Sequence, residues 1–346
     1  MSELSIVIGT YNRLDQIRRC MESVFDQTTV NFRIYVSDAG STDGTVKYLK
    51  SVASDKVIPI LVGRKLGQAK AYNDVFKIVE TPYVCWLSDD NVILNRGLDV
   101  AVSILERDSR IGMVGLKTKD VRGPFVNQPY IGGVSTIGIL NVNQGMLPTH
   151  VLKQVGGFGE TFRDYGIDPD LTAKVFYAGY DIVYTREIVI HHYRSWEMEE
   201  GSLAHSELQQ KHRRFKMLYE EKFGRLANNA PIWRLKCAAW SFIAKSWPFI
   251  KNAWRLLKKT WLFKNRVSRF IRKTINAQRS PNSTRPVDRY IVRDWQNVFT
   301  GRYISLLDRF RCAGKPYYLR QHCPWYRMPR AIPQDAVPFP AIDAEP

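Results

Sequence analysis

Apolar residues in the first ninety positions fall into runs of two kinds. Residues 4–9 (LSIVIG), 32–37 (FRIYVS), 57–62 (VIPILV) and 83–87 (YVCWL) are short and rich in β-branched and aromatic side chains, which predicts strands. Residues 14–25, 45–54 and 67–79 between them are amphipathic and predict helices. Strand and helix in alternation predict an α/β fold with a mostly parallel, doubly wound sheet, in which ligands collect at the carboxyl ends of the strands. The polar clusters 10–13 (TYNR), 38–44 (DAGSTDG) and 88–91 (SDDN) fall at those ends. Farther on, Asp168-Pro169 reads as N-cap and first residue of a helix over 171–178, closed by Gly179. Residues 181–192 then alternate toward one strand ending at His191-His192.

A different rhythm governs residues 233–267. Trp233, Trp240, Trp247, Trp254 and Trp261 recur every seven residues. At about 100° per residue the apolar columns form one continuous arc and most Lys and Arg take the opposite face, with the tryptophans on the border. An indole is stable where one side is hydrocarbon and the other is wet, and Lys258 and Lys259 can extend beside it toward phosphate. The pattern predicts two helices, 232–247 and 249–275, lying in a membrane interface and kinked at Pro248. A helical seam packed against protein is the other reading of such a beat.

Charge sharpens this division. Residues 1–205 carry 22 basic and 24 acidic side chains, whereas 206–346 carry 29 and 9, with 16 Lys or Arg and no acid between Glu221 and Asp288. A surface so basic faces phosphates, of an anionic membrane or of nucleic acid, and no nucleic-acid motif accompanies the charge. Five scattered cysteines without a C-x-x-C pair suggest neither a disulfide framework nor a zinc site and fit a reducing cytoplasm. Neither a signal peptide nor a spanning segment is expected. The chain thus divides into a catalytic region 1–205, a basic Trp-rich helical region 206–280 and a Pro- and aromatic-rich tail 281–346 with a short helix.

Three clusters carry candidate chemistry. Asp38 follows a strand, where its carboxylate can accept from a planar base or cap the next helix, a role open also to Ser41 and Asp43. Asp89 and Asp90 close an apolar strand, and paired carboxylates there call for a cation or a proton, with oxygen ligands suiting Mg²⁺ or Mn²⁺. Asp168 near a helix start and a histidine at a strand end have the form of a general base and a metal ligand.

Together these segments resemble the inverting glycosyltransferases of the GT-A fold, family 2. LSIVIGTYNR resembles the opening strand and T-x-N motif, VSDAGSTDGT the uracil-binding turn and WLSDDN the D-x-D motif, with Ser88 where the first Asp is usual. GGFGE, DPDL and HHYR resemble the acceptor and general-base region. The resemblance, over residues 4–194, implies that Thr10, Tyr11, Asn12 and Arg13 line the nucleotide pocket. It further implies that Asp38 binds uracil, that Arg64 or Lys65 meets diphosphate or ribose, and that Asp89 lies on the sugar or ribose. Asp90 would ligate Mn²⁺ or Mg²⁺ with one of His191 and His192, His191 being preferred. Gly157, Glu160 and Asp170 would face the acceptor and Asp168 would take its proton. With the basic region added, the expectation is a cytoplasmic enzyme on the inner membrane face, using a nucleotide-sugar donor, in first place UDP-linked, and a lipid-linked or envelope glycan acceptor. A non-catalytic adaptor on the same fold and a soluble transferase gripping an acidic polysaccharide are the competing readings.

Overall fold

The computed structural model describes residues 3–123, 125–127, 130–131, 133–135, 139–194, 203–228 and 317–321. The chain opens with β1 (Leu4–Thr10), α1 (Leu14–Gln27), β2 (Phe32–Asp38), α2 (Thr45–Ser51), β3 (Val57–Leu61), α3 (Gln68–Ile78) and β4 (Tyr83–Ser88). There follow β5 (Asn91–Ile93), α4 (Gly97–Arg107), β6 (Ile111–Gly115), β7 (Thr118–Arg122), β8 (Gly133–Val134), β9 (Leu140–Asn141), β10 (Gly145–Pro148) and α5 (Thr149–Val155). Last come α6 (Ile167–Tyr177), β11 (Asp181–Thr185), β12 (Ile190–Tyr193), α7 (Leu203–Asn228) and β13 (Tyr317–Gln321).

Within the first ninety residues the predicted strands and helices all form, α2 three residues shorter than expected. Strands β1 to β4 lie parallel, and the main sheet runs β13-β11-β6-β10-β4-β1-β2-β3. Ile6, Ile8, Ile34, Val36, Cys85 and Leu87 join Ile17, Val24, Leu98 and Ile104 in one buried cluster. Each such side chain withdrawn from water contributes about 1.5–3 kcal/mol, enough together to fix the register. That register aligns Thr10 with Asp38 and Gly9 with Ser88, so the carboxyl ends of β1, β2 and β4 share one edge.

Two departures from the pattern build the site. β10 runs antiparallel between β4 and β6, pairing Gly145 with Trp86. Its entrance, Asn143-Gln144, therefore lies beside the exit of β4. The stretch predicted as one strand over 181–192 is two: β11 stays in the main sheet, while β12 joins β5 and β7 in a separate three-stranded sheet. Alternation alone does not distinguish one strand from two that bend between partners.

Contacts divide the chain into two units, residues 1–224 with 303–346 and residues 225–302. The helix α7 crosses position 205, and its residues 203–224 belong to the first unit. Its Phe223 stacks on Tyr177 at 5.9 Å, and Lys222 pairs with the fully buried Asp170 at 2.8 Å. Gly166, at φ 87°, lies so close to Phe215 that an added Cβ would fall 2.1 Å from its ring. The helices predicted over 232–247 and 249–275, with Trp233, Trp240, Trp247, Trp254, Trp261, Lys258 and Lys259, lie outside the described residues. Among the described residues no helix is long and apolar enough to cross a membrane.

Candidate active site

At the shared edge, the loop after β1 and the turn after β2 are stitched together. Asn12 (φ 50°) accepts from the Thr42 amide at 2.8 Å, while its own amide donates to Ser41 Oγ at 2.8 Å. Asp38 is buried and accepts from the amides of Gly40 and Ser41 at 2.9 and 3.0 Å, so it shapes its own turn. Gly44 is the cap residue of α2, and Asp43 before it accepts from the amides of Leu14 and Thr45, the first residues of α1 and α2, at 3.0 and 3.1 Å. Gly40 (φ 88°) presses on the backbone of Gly63, leaving 2.6 Å between an added Cβ and the Gly63 carbonyl oxygen. This contact brings Arg64 and Lys65 to the Asp38 turn, and the Lys65 ammonium lies 3.8 Å above the Tyr11 ring.

The acidic corner is neutralised by the chain itself. Asp89 and Asp90 are 4% and 6% exposed. Thr10 Oγ1 donates to Asp89 Oδ2 at 2.9 Å, and Arg13 donates to Asp89 Oδ1 and Asp90 Oδ2 at 2.9 and 3.2 Å. Burial pushes the Asp89 carboxyl up to about 6, with Asp90 adding to the effect and Arg13 opposing it. Asp90 is held below its ordinary value: its burial is outweighed by His192 and Arg13.

The three-stranded sheet explains why His192 and not His191 meets Asp90. Register sets His192 against Asn91 of β5 on one side and Asp120 of β7 on the other. His192 Nε2 lies 3.0 Å from Asp90 Oδ1, and Nδ1 lies 2.9 Å from Asp120 Oδ1. Side chains alternate along a strand, so His191 points the other way, its pKa lowered by burial and by Lys119. Of the two histidines, the one beside Asp90 is therefore His192, not the favoured His191. His192 is raised, because the carboxylates of Asp120 and Asp90 outweigh its burial. Arg194 Nε donates to the second oxygen of Asp120 at 2.7 Å.

Asp168 lies in the first turn of α6, behind the cap residue Gly166, and not at the cap itself. It is half-buried, and burial drives its carboxyl up to about 7 against Asn143, Arg194 and His192, which favour the anion. Asn143 Nδ2 donates to Asp168 Oδ2 at 3.2 Å, and Gln144 Nε2 donates to Ser88 Oγ at 3.0 Å. The segment entering the antiparallel strand β10 thus touches both Asp168 and Ser88.

Two of the expected acceptor residues are part of the framework. Asp170 is fully buried; it accepts from the Gly159 amide at 2.9 Å and pairs with Lys174 at 3.4 Å as well as with Lys222. Gly157 is buried at φ 62° and its carbonyl accepts from Lys174. Glu160 alone of the three is exposed, held by Asn73 at 3.2 Å.

Among the described residues no cluster of three or more His, Cys, Asp or Glu is arranged to hold a metal ion. Asp90 and His192 nevertheless suit a cation that shares its shell with substrate phosphates. Neighbouring ligands of an octahedral ion at about 2.1 Å stand about 3.0 Å apart, close to the separation of Asp90 Oδ1 and His192 Nε2. A ligating histidine usually has its other nitrogen held by a carboxylate, and Asp120 supplies it.

An α/β domain with its polar edge at the ends of parallel strands and a separate small sheet at the acidic corner has the GT-A architecture. Residues 5–152 match the family model "Glycosyl transferase family 2", and the chain carries a domain of that family. Among curated proteins, a UDP-Glc:alpha-D-GlcNAc-diphosphoundecaprenol beta-1,3-glucosyltransferase of Escherichia coli is 29% identical over 108 residues, 31% of this chain and 43% of the relative. A teichoic acid poly(glycerol phosphate) polymerase of Staphylococcus epidermidis is 32% identical over 94 residues, 26% of this chain and 13% of the relative. The chain therefore matches less than half the length of either. A Pyrobaculum calidifontis mannosyltransferase solved with GDP-Man and Mn²⁺ has a TM-score of 0.47 at 20% identity, covering 77% of this chain and 83% of that one.

Proposed function

We propose that the chain is an inverting glycosyltransferase moving a sugar from a nucleotide-diphosphate donor, in first place UDP-linked, to a hydroxyl of a lipid-linked or cell-envelope glycan. The observation that carries this reading is Asp168: a carboxyl held near pKa 7, with His192 and Arg194 of the acidic corner acting on its charge. An acceptor hydroxyl is far too weak an acid to ionise unaided near neutral pH, and a base is most effective when its pKa lies near the working pH.

Asp168 takes the hydroxyl proton as the acceptor oxygen attacks the anomeric carbon. The bond from that carbon to the diphosphate oxygen breaks on the opposite face, and the configuration inverts. Tyr11, Asn12 and Asp38 shape the nucleoside end, while Arg64 and Lys65 lie where basic groups would meet the diphosphate. Asp90 and His192 would hold a divalent cation, Mn²⁺ or Mg²⁺, whose chemistry is to neutralise charge on the departing diphosphate. Asp120 keeps the His192 ring oriented.

A donor that binds only the folded protein raises its unfolding temperature, by an amount that grows with the logarithm of its concentration above the dissociation constant. Across a panel of nucleotide sugars with Mn²⁺, UDP-sugars are expected to protect; a panel in which none protects at millimolar concentration sinks the reading. The lipid-linked acceptor is supported by the diphosphoundecaprenol-linked substrate of the Escherichia coli relative and by the basic Trp-bordered sequence at 233–267. Work at the cytoplasmic face of the membrane, without a span, completes the proposal. Co-sedimentation with anionic vesicles, weak on neutral ones, is its expected signature; failure to sediment with either removes the membrane component.

A further inference from the structure

Arg13 carries more than its place in the TYNR motif suggests. It precedes α1, and its side chain turns back to the end of β4, where one nitrogen, Nη1, bridges the two buried carboxylates. Thr10 takes the other oxygen of Asp89, and His192 faces the other oxygen of Asp90. All four carboxylate oxygens of the pair thus meet groups of the chain. A divalent ion arriving at Asp90 finds one of its oxygens bound by a group of like charge.

We propose that Arg13 is a built-in cation at this corner, holding Asp89 and Asp90 together before donor arrives and leaving Asp90 when a divalent ion binds. The inference rests on the metal site proposed above. Two adjacent buried carboxylates need a positive partner, since a buried charge without one is costly. Arg13 meets that need from a side chain that is itself 33% exposed, which leaves it a way out. The donor diphosphate gives the released guanidinium a new partner, for which its planar fork is suited. Metal and nucleotide then bind cooperatively, and by linkage each tightens the other by the same factor. A protein without the charge at position 13 should take up metal without waiting for nucleotide.

Direct metal binding tests this, with no turnover required. Free Mn²⁺ is measured by electron paramagnetic resonance during titration of wild type, Arg13→Gln and Arg13→Lys, each with and without UDP. Thermal unfolding reports the fold of each variant and its stabilisation by Mn²⁺. Wild type is expected to bind Mn²⁺ at least about tenfold more tightly with UDP than without. Arg13→Gln is expected to bind it at least about tenfold more tightly than wild type without UDP, and to gain more in unfolding temperature from Mn²⁺. Arg13→Lys, which keeps the charge, is expected to stay near wild type. Equal Mn²⁺ affinity of wild type and Arg13→Gln without UDP overturns the role of Arg13 and leaves the transferase reading standing. Binding of UDP with no Mn²⁺ taken up by any of the three proteins removes the metal site, and this inference with it.

Discussion

Asp168→Asn is expected to lower sugar transfer by about 10²- to 10⁴-fold, the range a positioned base contributes, with little change in donor affinity. Asparagine keeps the shape and can still meet Asn143, but it takes no proton. The pH profile follows from the same group. Because burial raises the Asp168 carboxyl to about 7, the active anion accumulates as pH rises through that value, and the rate rises with it. Asn143 donates to the anion, so Asn143→Ala moves this acidic limb to higher pH. Stability runs the opposite way. Between the ordinary aspartate value near 3.9 and about 7 the folded state holds the proton more tightly than the unfolded one, so ionisation destabilises the fold as pH rises across that window. Asp168→Asn should therefore unfold at a higher temperature than wild type at pH 8, the advantage fading toward pH 4. Rates by product assay, and unfolding temperatures at the two pH values, check both halves. A variant with near wild-type transfer removes Asp168 as base.

Asp90→Ala is expected to be the second most damaging change, with turnover reduced by at least about 10²-fold, the scale on which single stabilisers of developing charge act. It takes away the carboxylate that faces His192 and shares Arg13 with Asp89. Donor protection should then lose its dependence on Mn²⁺, and the unfolding temperature without ligand should fall near neutral pH, because the anion that His192 and Arg13 hold below its ordinary pKa is lost from the folded state. Isothermal titration of UDP with and without Mn²⁺ separates these effects. Retained Mn²⁺-dependent binding in Asp90→Ala would place the cation elsewhere.

The parallel strands of the first ninety residues were legible because each is short, apolar and closed by its own polar turn. Asp38, Asp89 and Asp90 could be found in the sequence for that reason alone. His192 could be narrowed only to a pair, since choosing between neighbours requires knowing which face of β12 meets β5. Asp120 gave no signal: it sits in an ordinary alternating stretch, and its meaning comes from β7 pairing with β12, across 72 residues. Asn143 and Gln144 were hidden because nothing local shows that β10 runs against its neighbours. Asp170 misled in the other direction. A carboxylate two residues from the base looks like part of the cleft, but the helical turn carries it inward to Lys174 and Lys222. The seven-residue tryptophan beat lies outside the described residues and rests on sequence alone.

In the proposed enzyme the end of β4 and the start of α6 form one nucleotide-sugar cleft. A crystal grown with UDP and Mn²⁺, with anomalous data collected at the manganese edge, tests it most directly. Expected are a single strong peak within bonding distance of Asp90 and His192, the nucleoside between Tyr11 and Asp38, and Arg13 withdrawn from Asp90. Nucleotide bound away from these residues, with no manganese beside Asp90, would contradict it.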